Sequence, residues 1–153
     1  MMPPRVFRDI AEVEAAVGED LGTTGWVEVS QPTVDAFAEI TGDHQWIHVD
    51  VERAARSAFG GTIAHGHLTL AMLPAFAAQL YALETGSARL NYGLGEVRFP
   101  APVPVGSKVR GTPRIREVRQ VPAGSQVVVR WTVEADGVER PVCVAESITL
   151  VIP

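Results

Sequence analysis

Two hydrophobic periods divide the chain, helical in its first half and alternating in its second. Asp9 to Val17 predicts a short amphipathic helix with Ile10, Val13 and Val17 on one stripe and Gly18 ending it. Trp26 to Gln31 alternates like a strand. Gln31-Pro32 then opens a second helix, with proline in its first turn, Val34, Phe37 and Ile40 as its apolar face and Gly42 as its stop. A polar, histidine-rich loop is expected over Asp43 to Val49, after which Asp50 caps a short helix reaching about Ser57. The glycine-rich stretch from Phe59 leads into a long helix starting near Gly66 and running to Leu83. Leu68, Leu70, Met72, Leu73, Phe76, Leu80, Tyr81 and Leu83 make that helix apolar almost all round, which requires other structure to enclose it. Pro74 inside it predicts a kink or a break.

From Arg89 the period becomes two. Glu96 to Phe99 alternates until Pro100, Pro102 and Pro104 end the run. Ser107 to Val118 reads as a strand weakened by Gly111 and Pro113, so an edge or a bulge is expected there. Val127, Val129, Trp131 and Val133 alternate with polar neighbours, Asp136-Gly137 signals a hairpin turn, and Pro141 to Ile152 supplies the last strand. Several consecutive antiparallel strands after one enclosed helix make an α+β layout, a curved sheet wrapped on a helix. Residues 1–153 are expected to form a single domain.

Composition narrows the function classes. Of 153 residues, 46% are hydrophobic and 20% charged, ordinary for a folded soluble domain. A net charge of −5, from 13 basic against 18 acidic side chains, argues against nucleic acid as a partner. The first twenty residues have no apolar core and carry Asp9, Glu12 and Glu14, unlike a signal peptide. The apolar run from Leu68 to Leu83 is interrupted by Thr69, Pro74 and Gln79 and is short for a membrane span, so a cytoplasmic protein with no membrane partner is expected. Cys143 is the sole cysteine; no disulfide can form within the chain, and a buried strand position suits it better than a nucleophile's. No GxGxxG, Walker loop, HExxH or GxSxG is present, and no cofactor is expected.

The chemistry concentrates in Ile40-Thr-Gly-Asp-His-Gln-Trp-Ile-His48. Asp43 and His48 combine an acceptor-only carboxylate with an imidazole that titrates near neutrality. Held around one water, such a pair can remove a proton and return it. The spacing is equally that of a turn capped by Asp43 with His48 filling a core niche. Thr62-Ile-Ala-His-Gly66 forms a second element, at a helix start whose unpaired N–H groups could polarise a carbonyl; a tight turn needing small residues reads the same way. His44, His65 and His67 invite a metal reading beside Asp43 and His48, but no Cys or Glu completes a set at ligand spacing, and no metal is expected.

Taken together, Thr41-Gly42-Asp43-x-x-x-Ile47-His48 and, some fifteen residues on, Gly61-x-Ile63-Ala64-His65-Gly66 resemble the MaoC-like dehydratases, whose (R)-specific enoyl-CoA hydratases are also called hydratase 2. Gly-Asp-His-Gln-Trp-Ile-His and Asn91-Tyr-Gly-Leu look closest to the nodulation protein N-like branch, and Val97-Arg-Phe-Pro-Ala-Pro-Val-Pro-Val-Gly resembles the family's strand after the central helix. The resemblance implies a hotdog fold, a homodimer, and an acyl thioester of coenzyme A or acyl carrier protein as substrate. It implies that Asp43 and His48 activate water, that the Gly66 N–H polarises the thioester carbonyl, and that Gln45, Thr62, Ile63, Ala64, His65, Asn91 and Gly93 contact substrate. One departure stands out: Gln45-Trp46 occupies the place of the usual Asn-Pro, which alters pocket shape. Trp46 reads as a core anchor or a substrate contact. The expected reaction is reversible hydration of a trans-2-enoyl thioester to the (R)-3-hydroxyacyl product. The alternatives are a hotdog thioesterase and a catalytically silent acyl-binding subunit. Arg89, Arg98, Lys108 and Arg110 are candidates for the phosphates of coenzyme A, or else plain surface charge.

Overall fold

A computed structural model describes residues 2–153. Helix α1, Ile10–Ala15, starts where the Asp9 carboxylate accepts the Glu12 N–H at 2.8 Å. Its core face is Val13 and Ala16, whereas Val17 lies past the helix end and is exposed. The predicted strand at Trp26 shrinks to β2, Val27–Glu28. Ser30 caps α2, Gln31–Thr41, through the Thr33 N–H, and Gly42 closes it in the left-handed conformation at φ 76°. Val34 and Ala38, one turn apart, are the fully buried positions of this helix. Ile40, expected on the apolar face, is 83% exposed because that face is rotated towards Ala38. Part of the predicted histidine-rich loop is helical: α3 spans Trp46–Val49, and α4, Val51–Ala55, follows from the Asp50 cap.

The long helix is two helices and a strand. α5 runs Gly66–Ala71, α6 runs Leu73–Leu80, and the chain breaks between them at Met72 with Pro74 in the first turn of α6. Tyr81–Leu83, assigned to the helix by its apolar pattern, is instead strand β3, parallel to β1, Arg5–Phe7, with Arg5 opposite Tyr81. An apolar run alone does not separate a helix from the short strand that follows it.

Four long strands follow: β4 Ala88–Arg98, β5 Lys108–Val121, β6 Gly124–Ala135 and β7 Cys143–Ile152. With β2 they form one antiparallel sheet in the order β2-β5-β6-β7-β4. Its inner face presents Val109, Ile115, Val127, Val129, Trp131, Val133, Cys143 and Ala145 to Leu68, Leu73 and Phe76 of the helices. Gly111 sits under the Phe76 ring, where a Cβ would lie 2.8 Å from Phe76 Cδ2, so glycine permits the close approach of helix and sheet. The bulge in β5 falls between Ile115 and Glu117 rather than at Gly111. Beyond Val109, among the described residues, β5 has no strand on its outer side. Loop groups pair with it instead: the Thr24 and Gly18 N–H groups bond the Gly111 and Ile115 carbonyls, and the Gly111 N–H bonds Thr24 Oγ1.

The sheet covers one flank of α5 and α6 only. Ala71, Pro74, Ala75 and Ala78 are exposed, and edge strand β4 carries exposed Leu90, Tyr92 and Leu94. A single copy of the chain therefore does not complete the enclosure that an all-round apolar helix requires.

Candidate active site

The site forms where α2 ends, α3 begins and the strand-like segment before α5 crosses beneath them. Thr62–Ala64 is tied to Val103–Val105 by Ala64 N–H to Val103 O at 2.8 Å and Val105 N–H to Thr62 O at 2.9 Å. The Ile63 N–H reaches back to the Ile47 carbonyl at 2.9 Å, which sets α3 against this segment.

That frame fixes His48, which is 6% exposed. Its Nδ1 lies 2.6 Å from the Ile63 carbonyl. A carbonyl only accepts, so Nδ1 carries the hydrogen and Nε2 is left as a bare lone pair. That lone pair faces Asp43 Oδ2 at 3.9 Å, too far for a direct hydrogen bond and with an acceptor at each end. Asp43 is half exposed, so the pair opens to solvent on the carboxylate side.

His65 completes a cluster. Its ring stacks on that of His48 at 3.8 Å and 22°, Phe37 packs edge-on against it at 5.0 Å, and its Nε2 donates to the Asp43 backbone carbonyl at 3.0 Å. Asp43, His48 and His65, three of the five residues the sequence offered as a metal group, each bring a possible ligand atom within 4.8 Å of the others. Their geometry suits a metal ion poorly, because stacked imidazoles send their in-plane lone pairs side by side rather than to one point.

Sequence reasoning missed Gln31. Its Nε2 donates to the His48 carbonyl at 2.8 Å and to Asp35 Oδ1 at 2.9 Å, while its Oε1 accepts from the Thr62 hydroxyl at 2.6 Å. One amide therefore braces α2, α3 and the segment before α5. Nothing in the local pattern marks it, since a glutamine in a first helical turn is ordinary.

The other candidates divide. Thr62, Ile63, Ala64 and Gly66 lie beside the dyad, but Thr62 and Ile63 are engaged through structural hydrogen bonds. Gly66 opens α5, and among the described residues its N–H meets no acceptor. A Cβ there would stand 2.9 Å from the Phe99 ring, so glycine at this position makes room for Phe99. Gln45 is exposed, and Trp46 is half-buried, with the Arg53 guanidinium 4.2 Å over its ring and Phe59 at 6.4 Å. His44 turns away to Glu39 at 2.6 Å, a bond that raises its pKa, and His67 is exposed beside Phe99.

Asn91 and Gly93 stand apart from the dyad. They line a cavity of about 900 Å³ between the helices and the sheet, walled by Leu70, Leu73, Ala77, Tyr81, Leu94 and Trp131. Asp43, His48 and His65 do not line it. Of the four candidate phosphate ligands, Arg110 is paired with Glu134 at 3.1 Å, while Arg89 and Arg98 bond nearby carbonyls.

Cys143 is fully buried, and burial pushes its thiol up to about 11. Because the thiolate is the reactive species, the folded protein is expected to be inert to a thiol reagent at pH 8 and to take up one equivalent on denaturation. Rapid labelling of the native protein would contradict this placement.

Comparison with known proteins identifies the family. The MaoC-like domain family matches residues 12–137. This chain belongs to the MaoC-like dehydratase family. It is 52% identical over 145 residues to 3-hydroxyacyl-thioester dehydratase Z of Mycobacterium tuberculosis, covering 94% of this chain and 96% of that protein. Nodulation protein N of Rhizobium leguminosarum bv. viciae is 44% identical, over 93% of this chain and 90% of the relative. Among solved structures, an R-hydratase from Pseudomonas aeruginosa superposes with a TM-score of 0.71 at 24% identity, over 89% of this chain and 81% of that one. The fold is thus the hotdog expected from the sequence, and the protein is a dehydratase.

Proposed function

We propose that this MaoC-like dehydratase interconverts trans-2-enoyl and (R)-3-hydroxyacyl thioesters, carried on coenzyme A, with Asp43 and His48 as its acid/base dyad. The observation that carries the reading is the His48 tautomer. Ile63 holds the proton on Nδ1, so a basic Nε2 and a carboxylate face one another across 3.9 Å. That gap accommodates one water donating a hydrogen to each.

In hydration, the water oxygen bonds C3 of the enoyl group as His48 Nε2 takes its proton and Asp43 holds the remaining O–H. The displaced π electrons move through C2 onto the thioester oxygen. The Gly66 N–H at the start of α5 receives that charge; one such donor typically lowers a barrier by about 3–4 kcal/mol. The imidazolium then returns the proton to C2 and the enolate collapses. Dehydration is the reverse. The (R) sense follows the family resemblance, as does the assignment of a homodimer.

The cavity beside the helices is apolar and spacious enough for an acyl chain, with Asn91 and Gly93 in its wall. In a homodimer, a second copy would cover the exposed face of α6 and strand β4. Among the described residues, no helix is long and apolar enough to cross a membrane.

The test is a panel of trans-2-enoyl-CoAs of increasing length, followed for both loss of the conjugated double bond and release of free thiol. Loss of conjugation without thiol release is expected. Thiol release would make the same dyad that of a thioesterase, and tight binding with neither signal would make the chain an acyl-binding subunit.

A further inference from the structure

We propose that His65 is a positioning residue that holds the two halves of the dyad in register, an inference that rests on the hydratase reading above. His65 is 3% exposed and touches both partners at once. Its Nε2–H holds the Asp43 backbone through the carbonyl, at 3.0 Å, and its ring lies on the His48 ring at 3.8 Å. Asp43 otherwise has little to hold it. It follows the left-handed Gly42, its carboxylate is half exposed, and its own local bonds are long, 3.3 Å from its N–H to Thr41 Oγ1 and 3.4 Å from the Gln45 N–H to Oδ1. The Asp43 carbonyl is therefore the handle by which a rigid, buried group sets where this carboxylate stands.

Packing alone does not account for a histidine here. Donation to a carbonyl fixes His65 as the Nε2–H tautomer, which leaves Nδ1 bare, and that atom is the buried side-chain nitrogen without a partner among the described residues. A phenylalanine would fill the niche beside Phe37 and keep the stack on His48 with no orphaned nitrogen. What only the histidine supplies is the ring combined with the Nε2–H. The stack has a second consequence. When His48 takes the water proton, its imidazolium lies against the face of a neutral aromatic ring, a favourable contact that exists only in that state. His65 is buried and reaches the chemistry through its contacts with Asp43 and His48.

Three substitutions separate these contributions on the trans-2-enoyl-CoA of choice. His65→Phe keeps the stack and loses the donor; His65→Gln restores a donor at the place of Nε2; His65→Leu removes both. Displacing a catalytic group by about 1 Å can cost about 100-fold, so kcat should fall about 10- to 100-fold in His65→Phe and furthest in His65→Leu, with KM within about threefold of wild type. His65→Gln should recover most of the loss seen in His65→Phe. Imidazole nitrogen NMR should show the His48 Nδ1–H tautomer intact in His65→Phe, and melting curves should show all three variants folded at assay temperature. A kcat for His65→Phe within about threefold of wild type, a loss confined to KM, or a His65→Gln no better than His65→Leu would each overturn the proposal. Asp43→Asn is the control for the reading beneath it. If wild type shows no hydration, or Asp43→Asn retains it, the hydratase assignment falls and this role falls with it. Wild-type rates in the His65 variants beside an inactive Asp43→Asn sink the positioning role alone.

Discussion

Asp43→Asn and His48→Gln are each expected to lower kcat for enoyl-CoA hydration by about 10²- to 10⁴-fold, the range contributed by a positioned acid or base. The two changes act differently at the same gap. Asp43→Asn puts an amide in place of a charge, so the water loses the carboxylate that orients it. His48→Gln replaces the imidazole with an amide, which takes up no proton near neutral pH, so the water's proton has nowhere to go. Removing either half leaves the other idle, and the double variant should be scarcely slower than the worse single one. Folding should survive in both. Asp43 is half exposed, and His48→Gln exchanges one buried donor to the Ile63 carbonyl for another. Steady-state rates together with melting curves test this, and near-wild-type turnover by either variant would remove the dyad assignment.

The parts of this architecture legible in the sequence are those written locally. Asp9, Ser30 and Asp50 cap helices within three residues of the groups they bond, and Gly42 closes α2 by a conformation most residues avoid. Pro74 announces the break at Met72 for the same reason, since a ring that removes an N–H acts on its own turn. The Asp43–His48 pairing is half local: spacing brings the two together, but only the Ile63 carbonyl, fifteen residues away, decides which His48 nitrogen is basic. What is illegible depends on distant partners. Alternation along β4 does not reveal that it pairs with β7 rather than β5, nor that Tyr81–Leu83 leaves the helix to meet Arg5–Phe7. Ile40 looks like a core residue by period and is not, because α2 turns Val34 and Ala38 inward. Gln31 shows no local signal at all, and His65, marked by its motif as a substrate contact, carries no local sign that it bonds Asp43; both bind backbone carbonyls of the dyad residues. Gly66 reads in the sequence as a helix start whose N–H polarises a carbonyl, or as a tight turn needing a small residue; the structure adds that its Cα faces the Phe99 ring, a neighbour no local pattern predicts.

Trp131→Ala should be the most damaging core change, and it should be felt in both stability and substrate choice. The side chain is 1% exposed at the centre of β6, opposite Pro113 and Ala145, with its ring 6.4 Å from that of Phe76. It therefore joins the sheet to the α6 face of the helical layer, at the point where Gly111 lets the two come closest. Truncating a buried tryptophan typically costs about 3–5 kcal/mol, from lost transfer energy and the cavity left behind. Against a whole-domain stability of about 5–15 kcal/mol that is a large fraction, and for a chain of this size it corresponds to a fall in Tm of about 6–20 °C. Trp131→Phe, which keeps an aromatic ring against Phe76, should lose much less. The functional consequence comes from the other side of the ring, which forms part of the wall of the 900 Å³ cavity. Emptying that wall lengthens the space available to an acyl chain, so the ratio of kcat/KM for long over short enoyl-CoAs should rise in the alanine variant, measured below its lowered Tm. A Tm within about 2 °C of wild type would show that helix and sheet are not joined there. An unchanged chain-length profile would show that the acyl group does not run along this cavity.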